Sequence, residues 1–345
     1  MLARSLESFS IPRARAIVAD LFAQDPQIYW VDFLLTTAIA YAATAVYLLA
    51  RNGSFTQAGA LVAAGPAVFR AGAFVHEIAH LRRRAPRGFR AAWNIFVGIP
   101  LMMPSWYYDS HVDHHGRRTY GTSGDGEYLL LATSPVSRIL IYFAQVPLIP
   151  PFAVLRFLVL EPAALIHRGV RRLATERASS LVSNPRYRRP IRSQRMPAAG
   201  RAVEVLIFLN QAAVVTALVH GSLPWSMPLK LYLLAVYALG LNWLRNAVAH
   251  LYESDGSPLT RLDQLRDSVT LGNRSVWTEI LFPLRLRYHA LHHLFPDLPY
   301  HALACGHERL MARLPPGSLY HATVHTSVWA LLRRLWHSAR SSSLR

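Results

Sequence analysis

The sequence predicts an all-α integral membrane protein: four transmembrane helices plus a re-entrant or interfacial helical segment, with a cytosolic cap that carries the histidine clusters. Three observations predict it. Charged residues make up only 16% of the 345, against about 25% in soluble globular chains. Four stretches stay apolar over the roughly 20 residues that a helix needs to cross hydrocarbon. Arginines gather in the segments on one side of those stretches.

The first 27 residues lack the short apolar core and small-residue cleavage site of a signal peptide. Their apolar positions Ile17, Val18, Leu21 and Phe22 suit a short amphipathic helix on the membrane face. Residues 30–50, 56–75, 202–220 and 229–249 are the four spans. The apolar stretch 136–160 is broken by Pro147, Pro150 and Pro151, which remove backbone donors. It is expected to be a helical hairpin or an interfacial segment rather than a fifth span. The cap comprises 76–135, 161–201 and 250–340, and the whole chain 1–345 reads as one membrane domain. The last stretch, "SVWALLRRLWHSA", has the pattern of an amphipathic surface helix.

Charge sets the orientation. The connection 51–55 has one arginine and 221–228 has no charge, whereas 167–195 holds nine arginines and 81–90 holds five. The positive-inside rule puts the two basic segments in the cytosol, together with both termini. The net charge of +18 comes almost wholly from arginine, with Lys230 the lone lysine, and does not point to nucleic acid. A single cysteine, Cys305, excludes both an intramolecular disulfide framework and a thiolate metal cluster.

This sidedness sends the histidines to one place. His76 and His80 close the second span; His111, His114 and His115 follow a short apolar excursion; His250 follows the fourth span; His289, His292 and His293 come next in the cap. All fall at the inner membrane–water boundary. Asn242, Asn246 and His250 are spaced for one helix face. Taken alone, "HEIAH" (76–80) fits the zinc-hydrolase signature, with Glu77 between its two histidines as general base. Nine histidines exceed the three protein ligands of a catalytic zinc. Two five- or six-coordinate metals use them naturally.

In the order His76-x-x-x-His80, His111-x-x-His114-His115 and His289-x-x-His292-His293, the chain resembles the membrane fatty acid desaturase and hydroxylase superfamily of histidine-box, non-haem di-iron enzymes. "HHLFPDLP" after the third box is similar to acyl-chain desaturases, and Asn246-x-x-x-His250 to the extra element of acyl-CoA desaturases. The likeness runs over about residues 30–300. There are departures: the first box has three intervening residues, where animal acyl-CoA desaturases tend to have four. No His-Pro-Gly-Gly haem motif of a fused cytochrome b5 occurs, and the third box of alkane hydroxylases is missing.

The resemblance implies two iron ions held by His76, His80, His111, His114, His115, His250, His289, His292 and His293, with Asn246 reaching a metal through water. It implies O2 as co-substrate and electrons from a separate ferredoxin- or cytochrome b5-like protein. The expected reaction is introduction of a double bond into a fatty acyl chain carried as lipid, CoA thioester or acyl-carrier-protein thioester. A hydroxylase, ketolase or acetylenase on the same scaffold is the near alternative, and an intramembrane HExxH zinc protease the remote one. Glu77, Asp113 and Asp297 are expected to support the ligand rings, because ligating histidines donate their second N–H to a carboxylate or carbonyl. Asp125 and Glu127, in "YGTSGDGEY" (120–128), could do so by folding back over the second box. Arg117, Arg118, Arg188 and Arg189 are candidates for an anionic head group. The expected location is the bacterial inner membrane, with the site facing the cytosol.

Overall fold

The structure, a computed structural model, describes residues 9–81, 84–190 and 198–342. Arg82, Arg83, Arg192 and Arg195 of the basic segments lie outside the described residues. The chain forms two compact units: a cap unit of 1–28, 112–142 and 242–345, and a span unit of 29–111 and 143–241.

Among the described residues five helical segments, rather than four, are long and apolar enough to cross a membrane: Pro26–Leu49, Phe55–Leu81, Val136–Ile166, Ala198–Val219 and Ser226–Ala247. Large apolar side chains stand exposed along them, with Leu35 61%, Val62 64% and Val159 62% accessible. Helices of a water-soluble domain turn that face inward, so this outer surface belongs against lipid. The chain is an all-α, multi-pass membrane protein whose only described strands are the two-residue pair Thr270–Leu271 and Val324–His325.

The expected break at 136–160 is absent. Val136–Ile166 is one continuous helical run without a reversal. Pro147 sits in a 3-10 turn, and Pro150 and Pro151 occupy the first turn of the helical segment Ile149–Leu155. A first-turn N–H has no intrahelical acceptor to lose, so proline is tolerated there. A π turn at Arg156–Leu160 carries the helix onward.

In the span unit, Tyr47, Ala64 and Leu234 form a buried cluster joining the first, second and fifth long helices. Gly65 permits that packing, since a Cβ there would fall 2.1 Å from the Tyr237 ring. Arg70 Nη2 donates to both oxygens of Asp32 at 2.8 and 2.7 Å, and its Nε donates to Thr36 at 3.2 Å. Edge-to-face contacts among Trp30, Phe33, Phe74 and Phe89 pack the helix end that carries His76. Deeper in the unit, Arg156 meets Glu161 at 2.7 Å and Glu204 at 2.6 Å, while the Tyr107 hydroxyl donates to Glu204 at 2.5 Å. All four are buried. Arg189 is also an internal brace, donating to the carbonyls of Trp106, Tyr107 and Ser179 at 3.2, 3.0 and 2.7 Å. Those bonds commit it to the main chain and remove it as a head-group ligand.

In the cap unit, a ladder of backbone bonds draws distant segments together. Leu251 N–H donates to Asp267 and Val269 N–H to Ala249, so His250 bridges Ser268. Leu271 N–H then donates to Arg287, while Thr270–Leu271 pairs in parallel with Val324–His325. Arg287, 1% exposed, ties this ladder by donating to the carbonyls of Leu271 and Asn273 and to the Tyr288 hydroxyl. The short helix Ile11–Ile17, N-capped by Ser10, buries Ala14. The amphipathic C-terminal helix Val328–Ser342 buries Leu331, Leu335 and Ala339 at four-residue intervals.

The candidate metal centre

In the span unit the last turns of Phe55–Leu81 present His76 and His80 on one face, with ring centroids 4.8 Å apart. His111 completes a triad, its ring 4.7 Å from His76 and 4.9 Å from His80. The 3-10 turn Ser105–Ser110 delivers it, and Tyr108 stacks on its ring at 4.7 Å. Glu77 is buried and receives the Tyr29 hydroxyl at 2.7 Å, while its other oxygen lies 3.6 Å from His76 Nδ1. That is too long for a hydrogen bond.

In the cap unit His114, His250, His289 and His293 form a fully buried tetrad whose candidate ligand atoms lie within 4.8 Å of one another. Their Nε2 atoms face each other: His114 to His250 at 3.2 Å, His250 to His289 at 3.0 Å, His289 to His293 at 3.1 Å. His115 and His292 approach Nε2 to Nε2 at 3.2 Å, and His115 stacks on His293 at 4.2 Å.

The surroundings fix which nitrogens carry protons. His114 Nδ1 lies 2.9 Å from Asp125 Oδ2 and must donate to it. Tyr120 gives its one hydroxyl hydrogen to Asp267 Oδ2 at 2.7 Å, so its oxygen accepts from His250 Nδ1, also at 2.7 Å. Asp267 Oδ1 accepts from Tyr128 at 3.1 Å and from Glu253 N–H at 3.3 Å. With both rings neutral, as metal ligation requires, the Nε2 atoms of the His114–His250 pair are lone-pair nitrogens aimed at each other. Two lone pairs at that distance repel unless a cation lies between them. Separations of 3.0–3.2 Å also match neighbouring ligands that each sit about 2.1 Å from one ion. The donor set fits a transition metal that accepts imidazole, iron included.

The electrostatics agree for His250 and His293. Burial lowers the His250 pKa despite Asp267, and it drives His293 well below its ordinary value, helped by the neighbouring histidines. Both stay neutral, as a ligand must. For His114 burial pulls the pKa down, but the Asp125 carboxylate more than reverses it. The Asp125 carboxyl itself is held below the usual range: burial raises it, and His114 with the N–H groups of Glu127 and Tyr128 prevails.

One expected placement differs in its geometry. The helical face proposed for Asn242, Asn246 and His250 ends early, because the helix stops at Ala247 and the cap ladder pulls His250 into an extended bridge with Ser268. Asn246 Oδ1 receives the Arg245 guanidinium and its carbonyl receives the Tyr252 hydroxyl at 2.5 Å. Asp297 is half-buried, with Arg15 at 3.8 Å among its partners. The Asp113 carbonyl accepts from Gly116 N–H at 2.9 Å. Asp125, by contrast, is fully buried against His114, with the tract 120–128 folded over the second box. Tyr120, Tyr128, Asp267 and Tyr252 were missed in the sequence. Tyr252 adopts a left-handed φ of 60°, uncommon outside glycine, and sets its ring 5.6 Å from His250.

The sequence pattern of the family described as "Fatty acid desaturase" matches residues 52–324, well over half of the chain. This chain belongs to the fatty acid desaturase family. A relative in Caulobacter vibrioides (strain NA1000 / CB15N), named "Ceramide hydroxylase", is 32% identical over 348 residues, which cover 99% of this chain and 97% of the relative. With its two histidine groups, this family member is a membrane-bound non-haem di-iron oxidoreductase that uses O2 and acts on fatty acyl chains. The zinc-protease reading of "HEIAH" is set aside.

Proposed function

We propose that this enzyme hydroxylates an acyl chain of an N-acylated lipid of the ceramide type. The observation that carries the reading is near-full-length similarity to a protein named for that activity. It favours hydroxylation over the double-bond formation expected from the run after the third box. The balance is one C–H bond broken and one C–O bond formed, with one atom of O2 entering the alcohol and the other leaving as water. Two electrons and two protons are taken up. The electrons come from a separate ferredoxin- or cytochrome b5-like donor.

The proposed iron ligands are the nine histidines His76, His80, His111, His114, His115, His250, His289, His292 and His293. When bound, the irons activate O2 for attack on an unactivated methylene. The chain's own residues orient and exclude. Asp125 and the Tyr120–Asp267 pair hold His114 and His250 with their Nε2 lone pairs directed inward, and Tyr252 closes over His250. Burial of the tetrad keeps water from competing for it. Glu77 supports the triad from its bond with Tyr29 and is not a base.

The arginine-rich segments support a cytosolic site and cytosolic termini. On that reading Val136–Ile166 lies along the inner interface, since crossing would export the nine arginines of 167–195. Reporter fusions after residues 110 and 170 would both report the cytosolic side of the membrane; opposite sides for the two refutes the topology. For the reaction, the test is expression in a ceramide-containing host under isotopically labelled O2, with mass spectrometry of the lipids. Gain of one labelled oxygen supports the proposal. Loss of two hydrogens without label overturns it.

A further inference from the structure

The last long helix ends in a cation that, among the described residues, lacks a counter-charge. Arg245 is only 6% exposed, and a guanidinium keeps its charge inside a protein. Buried charges are ordinarily paired, because desolvation is too costly otherwise. The other buried arginines obey this: Arg156 has two carboxylates, Arg189 has three carbonyls, and Arg287, whose Nε also lacks a hydrogen bond, has two carbonyls, a phenol and the Glu279 carboxylate 3.5 Å from that Nε. Arg245 has one bond, from Nη2 to Asn246 Oδ1, and its buried Nε has no acceptor. Among the described residues no carboxylate pairs with it. The phenols of Tyr142 and Tyr252 lie within its electrostatic reach.

Its position ties it to the tetrad. Val248 N–H donates to the Arg245 carbonyl at 3.2 Å and Ala249 N–H to Asn246 at 3.1 Å, a tight turn that leads directly into His250. Tyr252 bonds the Asn246 carbonyl at 2.5 Å while its ring lies against His250. A ligand held on Arg245 is thus held at a fixed offset from His250.

We propose that Arg245 binds an acceptor oxygen at the polar end of the lipid substrate and so selects which methylene reaches the metal tetrad. The planar fork of N–H donors suits a carbonyl or a carboxylate. The oxygen is either the amide carbonyl of an N-acyl lipid or the carboxylate of a free acyl chain. The inference rests on the lipid-hydroxylase reading for its substrate class, but not for the presence of a binding point.

The test uses the full-length iron-loaded chain as wild type, R245Q and R245K, each accepted only with wild-type iron content and thermal midpoint. If R245Q fails that check, R245K serves alone, because it keeps the charge and loses the fork. Equilibrium binding without reductant is measured for a ceramide and for the free fatty acid of the same chain, followed by the position of the new functional group after turnover. The expected result is binding weakened about 10- to 100-fold, the size of one lost charge-assisted hydrogen bond, with the functional group spread over neighbouring carbons. A loss confined to the ceramide identifies the amide carbonyl, and one confined to the fatty acid the carboxylate. Unchanged binding of both lipids with unchanged position overturns the inference. If wild type forms alkenes instead of alcohols, the hydroxylase reading fails while the binding comparison still decides the role of Arg245.

Discussion

Replacing Asp125 by asparagine isolates what the buried carboxylate does for His114. Asp125 is wholly inaccessible, and its Oδ1 accepts from the N–H groups of Glu127 at 2.9 Å and Tyr128 at 3.1 Å. In the D125N variant the amide oxygen stays there, because both donors on that side are backbone N–H groups, whereas the Oδ2 side meets one, Gly121 N–H at 3.3 Å, and a His114 ring that can move its proton. The new Nδ2 then occupies the Oδ2 position, 2.9 Å from His114 Nδ1, and confronts an N–H with an N–H. His114 relieves the clash by moving its proton to Nε2, the nitrogen that faces His250 at 3.2 Å. A protonated Nε2 has no lone pair for a metal. One charge-assisted hydrogen bond is worth about 1.5–3 kcal/mol, and loss of a partner that orients a ligand histidine lowers metal affinity about 10- to 100-fold. The assay is iron per chain against buffered free Fe(II), with the thermal midpoint of metal-free protein as control for folding. D125N that folds and binds iron as tightly as wild type would refute the orientation of His114 by Asp125.

Further outcomes follow from other sites. E77Q keeps an acceptor for the Tyr29 hydroxyl, so it should retain its iron and lose less than about tenfold in turnover, whereas removal of a general base costs about 100- to 10,000-fold; a loss of that size returns Glu77 to a chemical role. E204A leaves Arg156 with Glu161 alone and strands the Tyr107 hydroxyl, so stability should fall by about 3 kcal/mol, the lower end for a broken buried pair. An unchanged thermal midpoint in lipid nanodiscs would contradict it. His307 is depressed to about 4, by burial first and then by the Arg287 charge. The unfolded state, with a pKa near 6.5, therefore binds its proton first as pH falls. Its contribution to stability is full above about pH 6.5 and is lost on acidification towards about 4, by up to about 2 kcal/mol after discounting for partial exposure. Replacing it with asparagine should flatten the thermal midpoint over that window, and an unaltered slope counts against it.

Local patterns in the sequence carried the spans and the histidine clusters, because both depend on neighbours a few residues apart. Apolar runs of helical length and the His76/His80 spacing are of that kind. The tandem prolines misled, since a breaker counted in sequence is harmless in a first turn, as at Pro150 and Pro151. His250 was assigned to a helix face on spacing alone, and the bond from Leu251 N–H to Asp267 takes it off the helix. Asp267 and Tyr120 were illegible for a deeper reason. They reach His250 from 17 and 130 residues away in the chain, they are common residue types, and their role exists only after the ladder has formed. The same holds for Arg156, Glu161 and Glu204, ionisable residues in apolar helices whose mutual pairing no spacing reveals.

The orienting shell and the metal ligands are thus two halves of one requirement. Four neutral imidazoles turned inward have no reason to converge by themselves, since each would bond better to water or to a donor. Asp125 takes the His114 proton on the outer side, and the Tyr120–Asp267 relay takes that of His250. Each bond satisfies an N–H and at the same stroke strips the inner nitrogen of its hydrogen. The fold therefore sets two lone pairs, those of His114 and His250, against each other, and a bound cation converts that repulsion into attraction. This asymmetry explains why the carboxylates sit behind the rings rather than among them. A carboxylate inside would relieve the repulsion without a metal and fill the position that O2 chemistry needs open. It also locates the specificity of the site outside the histidines: the boxes supply donors common to the family, whereas the proposed oxygen-binding fork at Arg245 decides which carbon of the lipid is presented to them.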